Sequence, residues 1–110
     1  MIKSINPATG EEIKSYEEMT LSQIESIISD TNYAFLNWEE KDFSNRKSLM
    51  KKAAEVLKKN KKKYAELMTL EMGKPIKQSY AEVEKCAWVC DYYADNAETF
   101  LSDVIIDTDA

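Results

Sequence analysis

The segment Glu71-Met72-Gly73-Lys74-Pro75-Ile76 divides this chain, because it brings a glycine and a proline together between two helical patterns. Glycine adopts the left-handed conformation that ends many helices, and proline is favoured in the first turn of the next helix. The segment Asn6-Pro7-Ala8-Thr9-Gly10-Glu11 holds the only other glycine and the only other proline. The sequence therefore predicts one tight turn near its start and one helix break about two-thirds along.

The pattern after Pro75 is the most regular in the chain. Apolar residues recur at spacings of three and four, which predicts one buried face of a long helix: Ile76, Tyr80, Val83, Ala87, Cys90, Ala94, Ala97 and Leu101. A helix of about 27 residues would be roughly 40 Å long, which is more than a compact domain of this size usually holds. We therefore expect it to pack along something larger. The β-like run at 104–106 predicts a truncated strand, as in a chain cut from a longer one.

The remaining elements follow from shorter signals. Residues 2–19 predict a β-hairpin around the Asn-Pro turn. Thr20 and Gln23 form a capping-box pattern that opens a helix at about 20–37, and Ser44 is a candidate cap for a helix at about 45–59. A shorter helix should run from Tyr64 to Gly73. The expected fold is mainly α with an N-terminal hairpin: one segment, 1–110, with four helices within 20–103.

Composition excludes several classes of function. The 110 residues include no histidine, which removes the commonest general base and metal ligand, and two cysteines cannot build a disulfide framework. No apolar run is long enough to span a membrane, and the first residues do not resemble a signal peptide. We therefore expect a cytoplasmic protein with no membrane partner.

Charge is distributed in blocks. Residues 41–63 carry ten basic and two acidic side chains, whereas the segments on either side are acidic. The lysines fall on the polar face of a predicted helix and no aromatic residues are interleaved with them, so we expect a solvated face and no nucleic-acid partner. The alternative is a free-standing helical module that binds an acidic partner through the basic helix 46–63.

The residues that could carry chemistry favour structural roles. Cys86 and Cys90 lie four apart, and without further ligands we expect two small buried thiols rather than a metal or redox pair. We expect core packing, not a ligand pocket, for the aromatic residues Trp38, Trp88, Tyr92 and Tyr93. Two glycines are too few for a phosphate-binding or dinucleotide-binding loop. The residues alone thus predict a hairpin, four helices and no active site.

The two Pro- and Gly-containing segments resemble the aldehyde dehydrogenase superfamily. The Asn6–Glu11 turn is similar to that family's N-terminal hairpin, and Leu70–Pro75 is similar to the segment that enters its long helix. Ala34-Phe35, Trp38, Arg46 and Leu49 resemble its first two helices. The run from Glu82 to Ala94 resembles most closely the succinate-semialdehyde dehydrogenase branch.

The resemblance implies the N-terminal helical part of a cofactor-binding α/β domain whose Rossmann core is absent from these residues. The full-length enzyme would use NAD or NADP to oxidise a small aldehyde, succinate semialdehyde, to succinate, and would be a homo-oligomer. Its catalytic cysteine and cofactor loop would lie beyond this segment, since neither Cys86 nor Cys90 matches the catalytic motif. The segment alone is expected to bind no cofactor and to be inactive.

The resemblance also implies one binding site. Many members of the family hold a monovalent cation through a backbone carbonyl before the Asn-Pro turn and an acidic residue before the Gly-Lys-Pro segment, which correspond here to Ile5 and Glu71. Oxygen ligands suit a hard cation. The alternative is that Glu71 is a solvated helix-end residue or pairs with Lys74, and at least one further ligand would lie beyond Ala110.

Overall fold

The chain forms a short hairpin followed by four helices. A computed structural model describes residues 1–109, with the elements β1 (Ile2–Ile5), β2 (Glu12–Tyr16), α1 (Leu21–Glu39), α2 (Phe43–Lys59), α3 (Lys61–Met72) and α4 (Ile76–Phe100). The predicted fold class, mainly α with an N-terminal hairpin, is confirmed. No helix within residues 1–109 combines the length and apolar character that crossing a membrane requires.

The hairpin is closed by its Asn-Pro turn. Strands β1 and β2 pair antiparallel, with Ile2 opposite Tyr16 and a register shift between Ser4 and Ile5. At the turn, the Asn6 amide donates to the Glu11 carbonyl over 2.9 Å, and the Gly10 amide donates to the Asn6 carbonyl over 2.8 Å. Gly10 has a φ of +77°, so the glycine is required there by the backbone.

The helix ends agree with the sequence signals except at the starts of α2 and α3, since α3 begins at Lys61 and not at the predicted Tyr64. Thr20 and Gln23 form the predicted capping box at the start of α1. Gly73 ends α3 with a φ of +67°, as predicted. The cap of α2 is Asp42 rather than Ser44, and its carboxylate accepts a hydrogen bond of 2.7 Å from the Asn45 amide. A carboxylate is the stronger acceptor at a helix N-terminus, because it also interacts favourably with the helix dipole.

The core lies where α2 and α3 pack against α4, and it consists of small residues. The buried apolar residues are Ala54, Ala65, Val83, Ala87 and Ala94. Ser79 is the largest fully buried side chain, and its hydroxyl lies 2.9 Å from the hydroxyl of Thr69. Small residues let the helix axes approach closely, but they remove little apolar surface from water.

The predicted stripe of α4 is buried only in its middle. Val83, Ala87 and Ala94 are buried, whereas Ile76 and Leu101 at the ends are 44% and 67% exposed. Neither of these two residues is buried within residues 1–109, and the prediction allowed for this, since it expected the helix to pack partly against something larger. The predicted strand at 104–106 is also not formed: the run is exposed and has no strand to pair with in the described part of the chain.

The molecule is elongated. Its radius of gyration is 19.8 Å, whereas a compact domain of this length would have roughly 13 Å. Helix α1 accounts for much of this, since every one of its residues is exposed and it does not pack along any other element. Residues 1–109 therefore bury much less surface than a self-contained domain does.

Ion pairs join the basic block to α4. Lys51 reaches Asp95 over 2.7 Å, and Lys58 reaches Asp91 over 2.7 Å. The expected solvated face is thus partly an inter-helix ladder, which the sequence did not reveal because its acidic partners lie more than thirty residues away. The Lys58 ammonium holds the pKa of Asp91 below its usual value, and Lys51 does the same to the pKa of Asp95.

Candidate functional site

The two segments that hold the prolines and glycines meet in the structure. Gly73, at the break between α3 and α4, lies against Pro7 of the hairpin turn, and a Cβ atom added to Gly73 would stand 3.0 Å from the Pro7 Cγ. The glycine thus serves two purposes, since it supplies the positive φ that ends α3 and leaves room for the proline ring. This contact docks the hairpin onto the helix break.

Glu71 lies beside the first strand of the hairpin. The Ser4 hydroxyl donates a hydrogen bond of 2.8 Å to the Glu71 carboxylate, and Glu71 is half-buried. Lys74 pairs with Glu82 of α4 instead of with Glu71. The two alternatives considered for Glu71, a solvated helix end or a pair with Lys74, therefore do not describe this residue.

The structure brings the two predicted cation ligands onto adjacent segments. Ile5 directly follows Ser4, so the backbone of Ile5 is one residue away from the hydroxyl that binds Glu71. Ser4 itself was not predicted. One sequence signal could have identified Ser4, namely a hydroxyl side chain next to the Asn-Pro turn. That turn is the one that resembles the family's hairpin.

The junction provides oxygen atoms of the kind that a hard cation prefers. Within residues 1–109 no three His, Cys, Asp or Glu side chains come together as metal ligands, and Glu71 is the carboxylate that accepts the hydrogen bond from Ser4 of the hairpin. Divalent cations in proteins are usually held by several carboxylates, whereas one carboxylate with neutral oxygens matches the charge of a monovalent ion. The geometry thus offers one anionic oxygen, one hydroxyl and nearby peptide carbonyls.

The aldehyde dehydrogenase family model matches residues 1–110, the whole length of the chain. The chain belongs to the aldehyde dehydrogenase family. It is 39% identical over 109 residues to a probable NADP-dependent succinate-semialdehyde dehydrogenase of Synechocystis sp., covering 99% of this chain and 24% of the relative. The succinate-semialdehyde dehydrogenase of Mycobacterium leprae, also NADP-dependent, is 38% identical over 102 residues, which cover 93% of this chain and 22% of the relative.

A solved structure agrees with these relatives. The succinic semialdehyde dehydrogenase of Streptococcus pyogenes, determined with NADP⁺ as the cofactor, superposes with a TM-score of 0.90 at 32% identity, over 97% of this chain and 24% of that one. The chain therefore spans about a quarter of the length of the aldehyde dehydrogenases that it matches. Its fold is an N-terminal part of the fold of this family.

The sequence of this segment contains no glycine-rich loop of the kind that cradles a dinucleotide pyrophosphate. A phosphate-cradling loop needs several glycines close together, so that the backbone can approach the pyrophosphate. Gly10 and Gly73 are the only glycines, and each closes a separate turn.

The two thiols of this aldehyde dehydrogenase segment differ in environment. Cys90 is half-buried, but Cys86 is exposed in a groove of about 740 Å³ that is lined by Lys74, which precedes α4, and by residues of α4 as far as Val89. The prediction of two buried thiols was wrong for Cys86, whose side chain is exposed to solvent.

The aromatic residues of α4 were also predicted to be buried. Trp88 and Tyr93 are 60% and 51% exposed. They contact one another through Tyr92, whose ring centroid lies 5.7 Å from that of Trp88 and 5.4 Å from that of Tyr93. Trp38 is 40% exposed. These residues form an exposed aromatic surface, so the expectation of core packing within this chain was wrong.

Proposed function

We propose that this chain is part of an NADP-dependent aldehyde dehydrogenase that oxidises succinate semialdehyde to succinate. The observation that carries the proposal is the 39% identity to the Synechocystis succinate-semialdehyde dehydrogenase over nearly every residue of this chain. The nicotinamide cofactor, the aldehyde and the activated cysteine would all be bound or supplied by parts of the enzyme outside residues 1–110. The complete enzyme would be a homo-oligomer in the cytoplasm.

The role of the present segment is structural in this proposal. The hairpin docks on the α3–α4 break through Pro7 and Gly73, and α2 and α3 brace the long α4. Since the segment has no dinucleotide loop, it would bind no cofactor and catalyse nothing alone. The alternative of an interaction module that uses the basic helix receives less support, because Lys51 and Lys58 already pair with acidic residues of α4.

The test is to express the complete reading frame that contains residues 1–110 and to follow reduction of NADP⁺ and NAD⁺ with succinate semialdehyde. We expect turnover with succinate semialdehyde and NADP⁺, and none for the 110-residue chain under the same conditions. A set of short aldehydes without the distal carboxylate serves as the control. Faster turnover of those aldehydes, or a reading frame without a candidate nucleophilic cysteine, would refute the proposed substrate or the proposed reaction.

We also propose that the junction of the hairpin with α3 holds a monovalent cation through the Ile5 carbonyl and the Glu71 carboxylate. The support is the hydrogen bond between Ser4 and Glu71, which places β1 directly against the end of α3. The C-terminal end of a helix disfavours a bare carboxylate, and a bound cation would relieve this.

Thermal unfolding in sodium, potassium and tetramethylammonium salts of equal ionic strength tests this site. We expect the unfolding midpoint to depend on the cation in the natural chain and not in Glu71→Gln. Glu66→Gln is the matched control, because it removes the same charge from α3 away from the hairpin. Identical midpoints in the three salts would argue against the site.

A further inference from the structure

The groove beside Cys86 combines apolar side chains with charged ones. Its lining comes from Lys74 at the helix break and from one face of α4, on which residues recur at spacings of three and four. The α4 residues that line it are Gln78, Ala81, Glu82, Lys85, Cys86 and Val89. Its volume of about 740 Å³ lies within the range of small-molecule sites, roughly 300–1,000 Å³. We call it the Lys85 groove.

Positive charge exceeds negative charge in the Lys85 groove. Lys74 forms an ion pair with Glu82, so these two side chains neutralise one another. Lys85 is exposed, and none of the ion pairs within residues 1–109 includes it. The groove therefore presents one ammonium group that no carboxylate of the described chain neutralises.

A second cavity, of about 490 Å³, shows the opposite balance of charge. It lies at the C-terminal end of α1, and its two cationic side chains, Arg46 and Lys47, are accompanied by the carboxylates of Asp95 and Glu98. Lys47 pairs with Asp95 over 3.2 Å. Of these two cavities, only the Lys85 groove has a surplus positive charge that favours an anionic ligand.

The lining of the groove also limits which anion it suits. A phosphate group is usually held by several donors, among them backbone amides at a helix N-terminus. The Lys85 groove lies along the middle of α4 and offers one free ammonium beside the apolar side chains of Ala81 and Val89. A small carboxylate with a short hydrocarbon chain matches this arrangement, because its charge pairs with the ammonium and its methylene groups contact the apolar side chains.

We propose that the Lys85 groove binds the distal carboxylate of the aldehyde substrate in the complete dehydrogenase, with the Lys85 Nζ donating a hydrogen bond to that carboxylate. The inference rests on the proposed function and deepens it, since succinate semialdehyde carries a carboxylate at the end opposite its aldehyde. The aldehyde group itself would still be bound outside residues 1–110. Lys85 would thus add to the structural role of this segment a contribution to the choice of substrate.

The experiment compares two four-carbon aldehydes, succinate semialdehyde and butanal, which lacks the carboxylate. In the complete protein, Lys85→Gln should lower kcat/KM for succinate semialdehyde about tenfold more than kcat/KM for butanal, the size of effect expected for one hydrogen bond between charged groups. Lys85→Arg should restore most of the preference, because it restores the positive charge. Lys77→Gln is the matched control, since Lys77 is the other lysine of α4, is also exposed and does not line the groove.

A second measurement requires no turnover. Cys86 lies in the groove beside Lys85, so alkylation of its thiol reports the local preference for negative charge. Iodoacetate is anionic, and iodoacetamide is a neutral reagent of nearly the same size. In the 110-residue chain, the ratio of their rates at Cys86 should fall at least about twofold in Lys85→Gln and stay unchanged in Lys77→Gln. Mass spectrometry of the digested protein measures both rates.

Three results would overturn the inference. They are an unchanged preference for succinate semialdehyde over butanal in Lys85→Gln, an equal loss of kcat/KM for both aldehydes, and equal alkylation ratios in Lys85→Gln and Lys77→Gln. The unsubstituted complete protein tests the proposed function separately. If that protein prefers butanal, the proposed substrate is refuted, whereas a preference for succinate semialdehyde that Lys85→Gln does not reduce refutes only the role of Lys85.

Discussion

Replacing Gly73 with alanine tests whether the hairpin is held by the helix break. Gly73 has a φ of +67°, and an added Cβ would stand 3.0 Å from the Pro7 Cγ. The backbone conformation alone should cost about 1 kcal/mol, because an L-residue is strained in the left-handed region. The contact with the proline ring adds a second cost, since the turn must move by a few tenths of an ångström to make room.

Gly10→Ala separates these two costs. Gly10 has a similar φ of +77°, but nothing lies within 4 Å of the position that its Cβ would take. We expect Gly10→Ala to lower the free energy of unfolding by about 1 kcal/mol and Gly73→Ala to lower it by about 2 kcal/mol. Gly73→Asn should fall between the two, because asparagine tolerates positive φ but still carries a Cβ.

Urea unfolding followed by circular dichroism measures these differences. Hydrogen exchange at the β1 and β2 amides provides a local check, because displacing Pro7 should also weaken the hydrogen bond between Ser4 and Glu71. If Gly73→Ala and Gly10→Ala cost the same within about 0.5 kcal/mol, and hairpin exchange is unchanged, the docking of the hairpin on the helix break is refuted.

Three further outcomes follow from burial and charge. Val83→Asp should lower the free energy of unfolding in urea by about 3 kcal/mol, because it places a charge in the core against α4, where Val83 is 3% exposed. A loss below about 0.5 kcal/mol would contradict the burial of that face. Because Lys58 lowers the pKa of Asp91, this ion pair should stabilise the fold above the usual aspartate pKa of about 3.9 and lose its effect as the pH falls through the lower folded value. Unfolding midpoints of Asp91→Asn and the natural chain should therefore converge in acid, and a constant difference down to pH about 2 would contradict the pair. A thiol reagent should modify the exposed Cys86 faster than the half-buried Cys90. Mass spectrometry of the digested protein measures the two rates, and equal rates would contradict the difference in exposure.

Local signals in the sequence predicted the elements well. The capping box of Thr20 and Gln23, the left-handed Gly73 and the Asn-Pro turn each depend on residues within a few positions of one another, so their chemistry can be recognised directly. The cap of α2 was misplaced by two residues because Asp42 and Ser44 are both good caps, and only the backbone decides between them.

Long-range properties were predicted less well. Hydrophobic periodicity identified the helices but could not say which faces this chain itself covers, so Cys86 and Trp88 were expected to be buried and are exposed. The hydrogen bond between Ser4 and Glu71 spans 67 positions and has no sequence signature of its own. Only the resemblance to a family placed Ile5 and Glu71 near one another.

These errors share a physical cause. An apolar stripe indicates which face of a helix is covered by other segments. Those covering segments can lie outside residues 1–109. In α4 the middle of the stripe, around Val83 and Ala87, is buried by α2 and α3, so the prediction is confirmed there. In α1 the stripe is also periodic, yet Ile28 is 63% exposed. An apolar face that is regular in sequence but exposed in structure therefore locates a missing contact, and the aldehyde dehydrogenases that this chain matches extend well beyond the region that it covers.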